Sequence, residues 1–349
     1  MLKYHVGIDL HKTVAQICVL DAEGEIVKEG RKTISDRAAG HALVAWLGQW
    51  APEGRFAVEA LGVNRWFVNG CRAAGYDLLV VHAAQMELRK TGKKTDKRDA
   101  REIARRLRLG DLHRHARSYF PSDEEYGGRQ LLRYRNAQMT RRKQVESRIR
   151  ALLNAHLIRP PRRTLSCQGN LAWLKTVELP TDEETYVLRM MVPELEALQA
   201  QLAALDKRIE TLRSVKDVAT LEEQCPSIAV RSAANIVFEL GDVTRFAGSK
   251  QATAYAGAVP TVSQSGEGQA HHGRITKRGN RLLRWTLSQW AVRLLATHPV
   301  AKEWARRRSS NLTPNKRRLA LARRLLVGVY RTLRHGEVFS LERCLGVAK

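Results

Sequence analysis

Cysteine is scarce: Cys18, Cys71, Cys167, Cys225 and Cys344 are the only five in 349 residues, scattered and without a C-x-x-C pair. That pattern excludes a disulfide framework and a cysteine zinc site, and it fits a reducing cytoplasm. Long apolar runs are also missing. None approaches the roughly 20 residues of a spanning helix, which removes a membrane from the partners to consider. The amino terminus, "MLKYHVGIDLHK", reads as a strand and not as a signal peptide. Acids are in deficit: 35 Asp+Glu stand against 60 Lys+Arg, a formal net charge of +25 with a sequence pI near 10.4. So large an excess exceeds what solubility needs and points to a polyanion, with nucleic acid the natural one.

What is present begins as α/β. "YHVGIDL" and "AQICVLDA" are apolar runs rich in branched residues, and "EIVKEGRKTI" alternates like a strand. "RAAGHALVAWLGQW" has helical spacing, with Ser35 or Asp36 as its N-cap. A buried strand follows in "RFAVEA", a helix in "NRWFVNGCRAAGY", a strand in "DLLVVHA" and helical spacing through "DAREIARRLRLG". Three strands, helix, strand, helix, strand, helix is the order of a ribonuclease-H-like layer, an antiparallel start joined to parallel strands. In such a layer the first strand is central, the fourth lies beside it, and the last helix packs against that edge.

Acids occupy telling places on this scaffold. Asp9 interrupts the first apolar strand and Glu59 ends the fourth, and a charge there is costly unless paired or metal-bound. Asp96 and Asp99, three residues apart in "GKKTDKRDA", share one face of a helix. Around them stand Lys93, Lys94, Lys97 and Arg98. Singly, each acid is also an ordinary strand-end or helix-start residue. Taken together, in this order on these elements, the four carboxylates converge. Oxygen ligands of this kind suit Mg²⁺, with Mn²⁺ as the other candidate, for phosphodiester transfer. "VGIDLHK" also resembles the phosphate loop of actin- and Hsp70-like ATPases. Those proteins carry Gly and Thr where this chain has His11 and Lys12, and their second Gly-rich phosphate loop is not found here.

The middle of the chain is helical. "EEYGGRQLLRYRNAQMTRRKQVESRIRALLNAHLI" runs to Pro160–Pro161. Beyond it Leu188, Met191, Leu195, Leu198, Leu202, Leu205, Ile209 and Leu212 form a heptad-like seam, with Pro193 marking the start of the regular helix. Val145, Ile149 and Leu152 repeat the pattern. An intramolecular antiparallel hairpin and a contact between chains are both open readings of that seam. "CPSIAVRSAANIVFELGDVTRF" has the rhythm of a helix-hairpin-helix, although Ser227-Ile228-Ala229 replaces the usual Gly-x-Gly turn. A helix then ends at Gly257, a Gly/Ser/His loop holds Ser265, and Gly279-Asn280 opens an apolar helix. Arg274, Lys277 and Arg278 follow that serine, an arrangement that suits a nucleophile on phosphorus as well as an ordinary turn. Finally Arg306-Arg307-Arg308, Lys316-Arg317-Arg318 and Arg323-Arg324 punctuate apolar helices, either as a solvated face or as a phosphate track.

Several of these pieces recur together elsewhere. "VGIDLHK" with Asp9, "AVEA" with Glu59, "KTDKRDA" with Asp96 and Asp99, and "LGDVTRFAGSKQATAYAGAVPTVSQSG…ITKRGNRLLR" appear in a fixed order. In them the chain resembles the DEDD transposases of bacterial insertion sequences, the family numbered one-ten with its eleven-eleven branch, also called bridge-RNA-guided recombinases. The resemblance implies a RuvC-like domain over 1–120, a helical coiled-coil region over 121–218 and a mostly α-helical transposase domain over 219–349. It implies Ser265 (or its neighbour Ser263) as the nucleophile of a phosphoserine link to DNA, beside Mg²⁺ held by Asp9, Glu59, Asp96 and Asp99. Its further implications are a noncoding bridge RNA, target and donor DNA, a tetramer whose active sites join two protomers, and a bacterial cytoplasmic, nucleoid-associated location. A Holliday-junction-type nuclease would share the acids without needing the serine. A non-catalytic basic nucleic-acid-binding protein would need neither.

Overall fold

The computed structural model describes residues 2–60, 62, 64–82, 95–112, 118–258, 260–263, 271–275, 279–308 and 312–347, with backbone alone for 260–263 and 271–275. The chain divides into two compact units, Met1–Phe120 and Pro121–Lys349.

The first unit is built on a five-stranded mixed sheet. Its strands are β1 (Tyr4–Leu10), β2 (Val14–Leu20), β3 (Ile26–Thr33), β4 (Gly54–Glu59) and β5 (Leu78–Val81), and its helices are α1 (Arg37–Leu47), α2 (Arg65–Ala73) and α3 (Asp96–Arg108). The spatial order is β3-β2-β1-β4-β5, with β1 antiparallel to β2 and parallel to β4. Because side chains alternate along a strand, β1 has two separate faces. Val6, Ile8 and Leu10 pack with Leu43, Val44 and Leu47 of α1 and Phe67 and Val68 of α2. Gly7 and Asp9 therefore point to the opposite face, which α3 covers.

Small residues set the depth of that second layer. Gly7 lies against α3 so closely that a Cβ there would sit 2.2 Å from the Ala100 carbonyl oxygen and 2.4 Å from the Ala104 nitrogen. Cys18 and Leu20 of β2 join Ala100 and Ala104, while Ala57, Leu79 and Val81 join Ile103 and Leu107. The helix consequently lies over the face of β1 and β2, not against the sheet edge as expected. Asp36 is the N-cap of α1, accepting from the Ala39 amide at 2.8 Å.

The second unit is helical apart from one hairpin. Its elements are α4 (Asp123–Ala155), α5 (Gln168–Leu174), α6 (Asp182–Glu210), α7 (Lys216–Gln224), α8 (Val230–Leu240), α9 (Ser249–Tyr255), β6 (Pro260–Ser263), β7 (His271–Ile275), α10 (Arg281–Thr297), α11 (Pro299–Arg307), α12 (Pro314–His335) and α13 (Leu341–Leu345). Ser122 and Glu125 close a reciprocal capping box at the start of α4. Helices α4 and α6 run antiparallel. Arg135, early in α4, makes two 2.9 Å bonds to Asp206, late in α6, and His156 just past the end of α4 meets Glu184 at the start of α6 at 3.0 Å.

The apolar seam is thus filled within one chain. Val145, Ile149 and Leu153 pack with Leu188, Val192, Leu195 and Leu198. Val192 takes the fully buried place expected of Met191, which is only partly buried. Pro193 lies inside α6 and does not start it. The preceding eleven residues of this helix are held by the Thr181 cap, which accepts from the Glu184 amide, and by packing on α4, enough to carry the helix through the missing N–H. Two short strands also occupy part of the expected loop: β6 and β7 pair antiparallel, with Ser263 opposite His271, while the stretch with Ser265 lies outside the described residues.

Candidate active site

The close packing at Gly7 delivers α3 to the end of β1 that carries Asp9. Asp9 is 4% exposed. Asp96 is the first residue of α3, directly after Thr95, whose side chain accepts from the Arg98 amide. Between the two acids stands His11. Its Nε2 is 3.2 Å from Asp9 Oδ2 and 3.5 Å from Asp96 Oδ1, and the three ligand atoms all lie within 4.8 Å of one another. Sequence reasoning passed over this histidine, because β1 ends at Leu10 and strand alternation no longer indicates where the next side chains go. Its available signal was position two past a buried strand acid, where the His11 amide donates to the Val14 carbonyl in a tight turn.

The other two acids lie nearby without joining that trio at the same spacing. Glu59 follows Val58, the parallel partner of Ile8, so it continues the strand beside Asp9 and shares the α3 face with Ala57. Its carbonyl accepts from Asn64 Nδ2, a side chain that is itself completely buried. Asp99 lies one turn into α3 and is half-buried. Burial is the main cause that raises the Asp9 carboxyl above its ordinary range. The electrostatic effect and hydrogen bond of His11 oppose the rise, while Asp96 and Asp99 add to it. A half-enclosed carboxylate with two more acids in its field fits a hard divalent cation, which would relieve that repulsion.

The flanking cations fall into groups. Lys97 is engaged at 3.1 Å by Glu29 of β3, which Arg101 also grips and which these two cations hold down at a pKa of about 2. In the free chain Lys97 is thus paired to the sheet through a surface contact. Arg98 is exposed at the first turn of α3. Lys93, Lys94, Ser265, Lys277 and Arg278 lie outside the described residues, and Arg274 is described by its backbone in β7 alone.

The basic helices separate in the same way. Arg307 pairs with Glu303 at 2.8 Å, and Arg317 donates to the Ala305 carbonyl at 3.0 Å. Arg324 donates to the Cys344 carbonyl at 2.9 Å and Arg308 lies 4.8 Å from the Trp304 ring centre. Among the described residues no ion pair engages Lys316, Arg318 or Arg323. Replacing Lys316 and Arg323 with glutamine is therefore expected to lower the slope of log affinity against log salt by roughly 0.9 for each duplex phosphate left without its cation. Arg307→Gln should change it less. An equal slope in all variants, measured by titration at several salt concentrations, would remove α12 from the nucleic-acid interface.

Ser227 supplies the turn between α7 and α8 in a left-handed conformation, φ 58°, which is the geometry glycine usually provides. Further on, Glu239 of α8 is fully buried, makes two 2.7 Å bonds to Arg133, and accepts from the side chain of Asn280. Asn280 caps α10, accepting from the Leu283 amide at 3.0 Å, while its own amide donates to the Tyr255 carbonyl at 2.8 Å. The two ends of the segment that includes Ser265 are thereby tied together.

A mixed sheet with clustered acids, joined to a basic helical unit, defines a nucleic-acid-processing protein. Comparison with known proteins makes that class specific. Residues 6–158 match the DEDD transposase model of the IS110 type, and residues 219–306 match the model described as transposase of the IS116/IS110/IS902 family. The transposase for insertion sequence element IS1111A of Coxiella burnetii is 25% identical over 298 residues, which take in 83% of this chain and 77% of that protein. A 43.6 kDa protein of insertion element IS110 from Streptomyces coelicolor is 27% identical over 175 residues, 50% of this chain and 43% of its own length. The chain belongs to the IS110 family of insertion-sequence transposases. Transposases of this kind cut and rejoin DNA, and DEDD enzymes use divalent metal ions. No helix among the described residues is long and apolar enough to cross a membrane.

Proposed function

We propose that the chain is an RNA-guided DNA recombinase that exchanges strands through a serine–DNA intermediate. The observation that carries the metal half of this reading is the placement of Asp96 beside Asp9 by the Gly7–Ala100 contact. In this reading residues 1–120 form a RuvC-like domain in which Asp9, Glu59, Asp96 and Asp99 hold Mg²⁺, or Mn²⁺. The bound ion supplies charge neutralisation at the transferring phosphate. Residues 219–349 form the transposase domain, and Ser265, with Ser263 as the alternative, is the nucleophile. Its Oγ bonds to phosphorus, one DNA oxygen leaves with the proton that the serine gives up, and the phosphodiester is conserved as a phosphoserine link. Reversal with a different DNA hydroxyl reseals the strand. Arg98, Arg274, Lys277, Arg278, Lys316 and Arg323 supply phosphate contacts, and a noncoding bridge RNA pairs with target and donor DNA in a cytoplasmic complex.

Exchange of two duplexes needs more than one serine, so one chain is not enough; as the family resemblance implies, the working form is a tetramer, in which one protomer's acids serve another's serine. Residues 121–218 would mediate assembly as a coiled coil, and Tyr186, Val187 and Met190 of α6 offer an exposed apolar face for it. The test is covalent adduct trapping on supercoiled DNA with RNA present. Wild type should yield a protein–DNA adduct, Ser265→Ala none, and a mixture of Ser265→Ala with Asp9→Asn chains should recover part of it. Cutting without any adduct would replace this reading with a hydrolytic junction nuclease. A dead mixture that still co-assembles would place each site within one chain.

A further inference from the structure

We propose that His11 is a direct nitrogen ligand of the divalent metal held by Asp9 and Asp96, and that it biases the site toward Mn²⁺ over Mg²⁺. The proposal rests on the reading of Asp9 and Asp96 as metal ligands and adds to it a donor that the four-acid motif lacks.

Three observations support it. The first is spacing. Neighbouring ligand atoms on an octahedral ion with bonds of about 2.1 Å stand about 3 Å apart. His11 Nε2 is 3.2 Å from the Asp9 oxygen and 3.5 Å from the Asp96 oxygen. The longer of the two is close to the limit for a useful hydrogen bond, yet both are near the spacing of adjacent ligands around one small cation. The second is position. The Asp9 side chain is 6% exposed, whereas those of His11 and Asp96 are 49% and 59% exposed. The trio thus forms a half-open cup, anchored by one buried carboxylate and open to incoming phosphate oxygens. The third is backbone support. The His11 amide donates to Val14, and the Thr95 side chain caps the helix that carries Asp96, so both flanking segments are anchored.

Chemistry then sets the preference. Mg²⁺ takes oxygen almost exclusively, while an imidazole nitrogen strengthens binding of transition metals, and Mn²⁺ lies on the oxygen-tolerant side of that group. A site of carboxylates plus one imidazole accepts both ions but gains more from Mn²⁺.

The experiment is pulsed electron paramagnetic resonance on the full chain loaded with one equivalent of Mn²⁺, paired with calorimetric titrations of Mn²⁺ and Mg²⁺. Wild type should show nitrogen-14 modulation from a coordinated imidazole, and His11→Ala should lose it. The same variant should weaken Mn²⁺ binding by about tenfold or more, since even outer-shell partners of metal ligands act on that scale, and should weaken Mg²⁺ binding less. His11→Gln, which keeps the side-chain length and a polar end, controls for folding and should behave as His11→Ala. If Mn²⁺ binds in an Asp9-dependent way without nitrogen modulation, or with equal affinity in all three proteins, His11 is no ligand while the carboxylate reading stands. If Asp9→Asn and Asp96→Asn bind Mn²⁺ as tightly as wild type, the metal reading itself fails and this proposal falls with it.

Discussion

Asp9→Asn is expected to reduce strand cleavage by about a thousandfold and, in the absence of metal, to raise the melting temperature of the same protein. The first effect follows from losing the one carboxylate that is both buried and central. Metal-assisted charge stabilisation is worth several kcal/mol, and about 4 kcal/mol corresponds to that factor in rate. The second effect follows from the Asp9 carboxyl being raised above its ordinary range, chiefly by burial. The folded chain then holds this proton more tightly than the unfolded chain does. The associated stability is complete below the unfolded-state pKa and is lost as pH rises through the higher folded-state value. Near neutral pH the ionised carboxylate is thus a cost to the fold, which asparagine removes. Thermal melts with and without Mg²⁺ check both halves: wild type should gain stability from the ion and Asp9→Asn should gain none. A metal-free variant that melts below wild type would show that Asp9 stabilises the sheet through His11 instead.

The largest effect on stability is expected at Glu239, far in sequence from the clustered acids of the first unit. Its side chain is fully enclosed, bonded twice to Arg133 and once to Asn280. Removing one partner of a buried pair strands the other, at a cost of about 3–5 kcal/mol. Arg133 is 49% exposed and regains some hydration, so Glu239→Ala should lose about 3 kcal/mol. Asn280 also caps α10, so amide exchange should accelerate first near Leu283 and Arg284. Glu239→Gln keeps the shape and the bond to Asn280 while losing the charge, and should fall between the two. Hydrogen exchange at α10 that is unchanged in Glu239→Ala would mean the cap stands without its carboxylate.

Much of the first unit was legible because its strands and helices alternate as sharply as its sequence does. Central burial of β1 could be read from an apolar run that Asp9 interrupts, and the cap of α1 was narrowed to Ser35 or Asp36, of which the structure uses Asp36. Convergence of Asp9 with Asp96 was legible in outline, since a ribonuclease-H-like order places the last helix near the first strand. The depth of that contact was not. It depends on Gly7, Cys18 and Ala57 being small on the same face, a coincidence across three strands that no single stretch displays. His11 was hidden for a related reason, because it follows the strand's end and turns back toward the site. In the second unit the leucine seam was visible, but its partner was not, since heptad spacing is the same whether the complementary stripe lies in the same chain or another. The β6–β7 hairpin escaped because its Gly-, Ser- and His-rich sequence carries no alternation.

The Gly7–α3 contact also sets when the enzyme can become dangerous to its host. Asp9 leaves the ribosome well before Asp96 and the helix that carries it, which emerge only as the first unit nears completion. Contacts so distant along the chain close after the local strand pairs have formed. A nascent or truncated chain ending before α3 would have β1, β2 and β4, with Asp9 and Glu59, but neither Asp96 nor Asp99, and so only half of the carboxylate set proposed to hold the metal. On the metal reading proposed above, competence to cut is coupled to completion of the first unit, and translation products that stop before α3 should not cleave DNA.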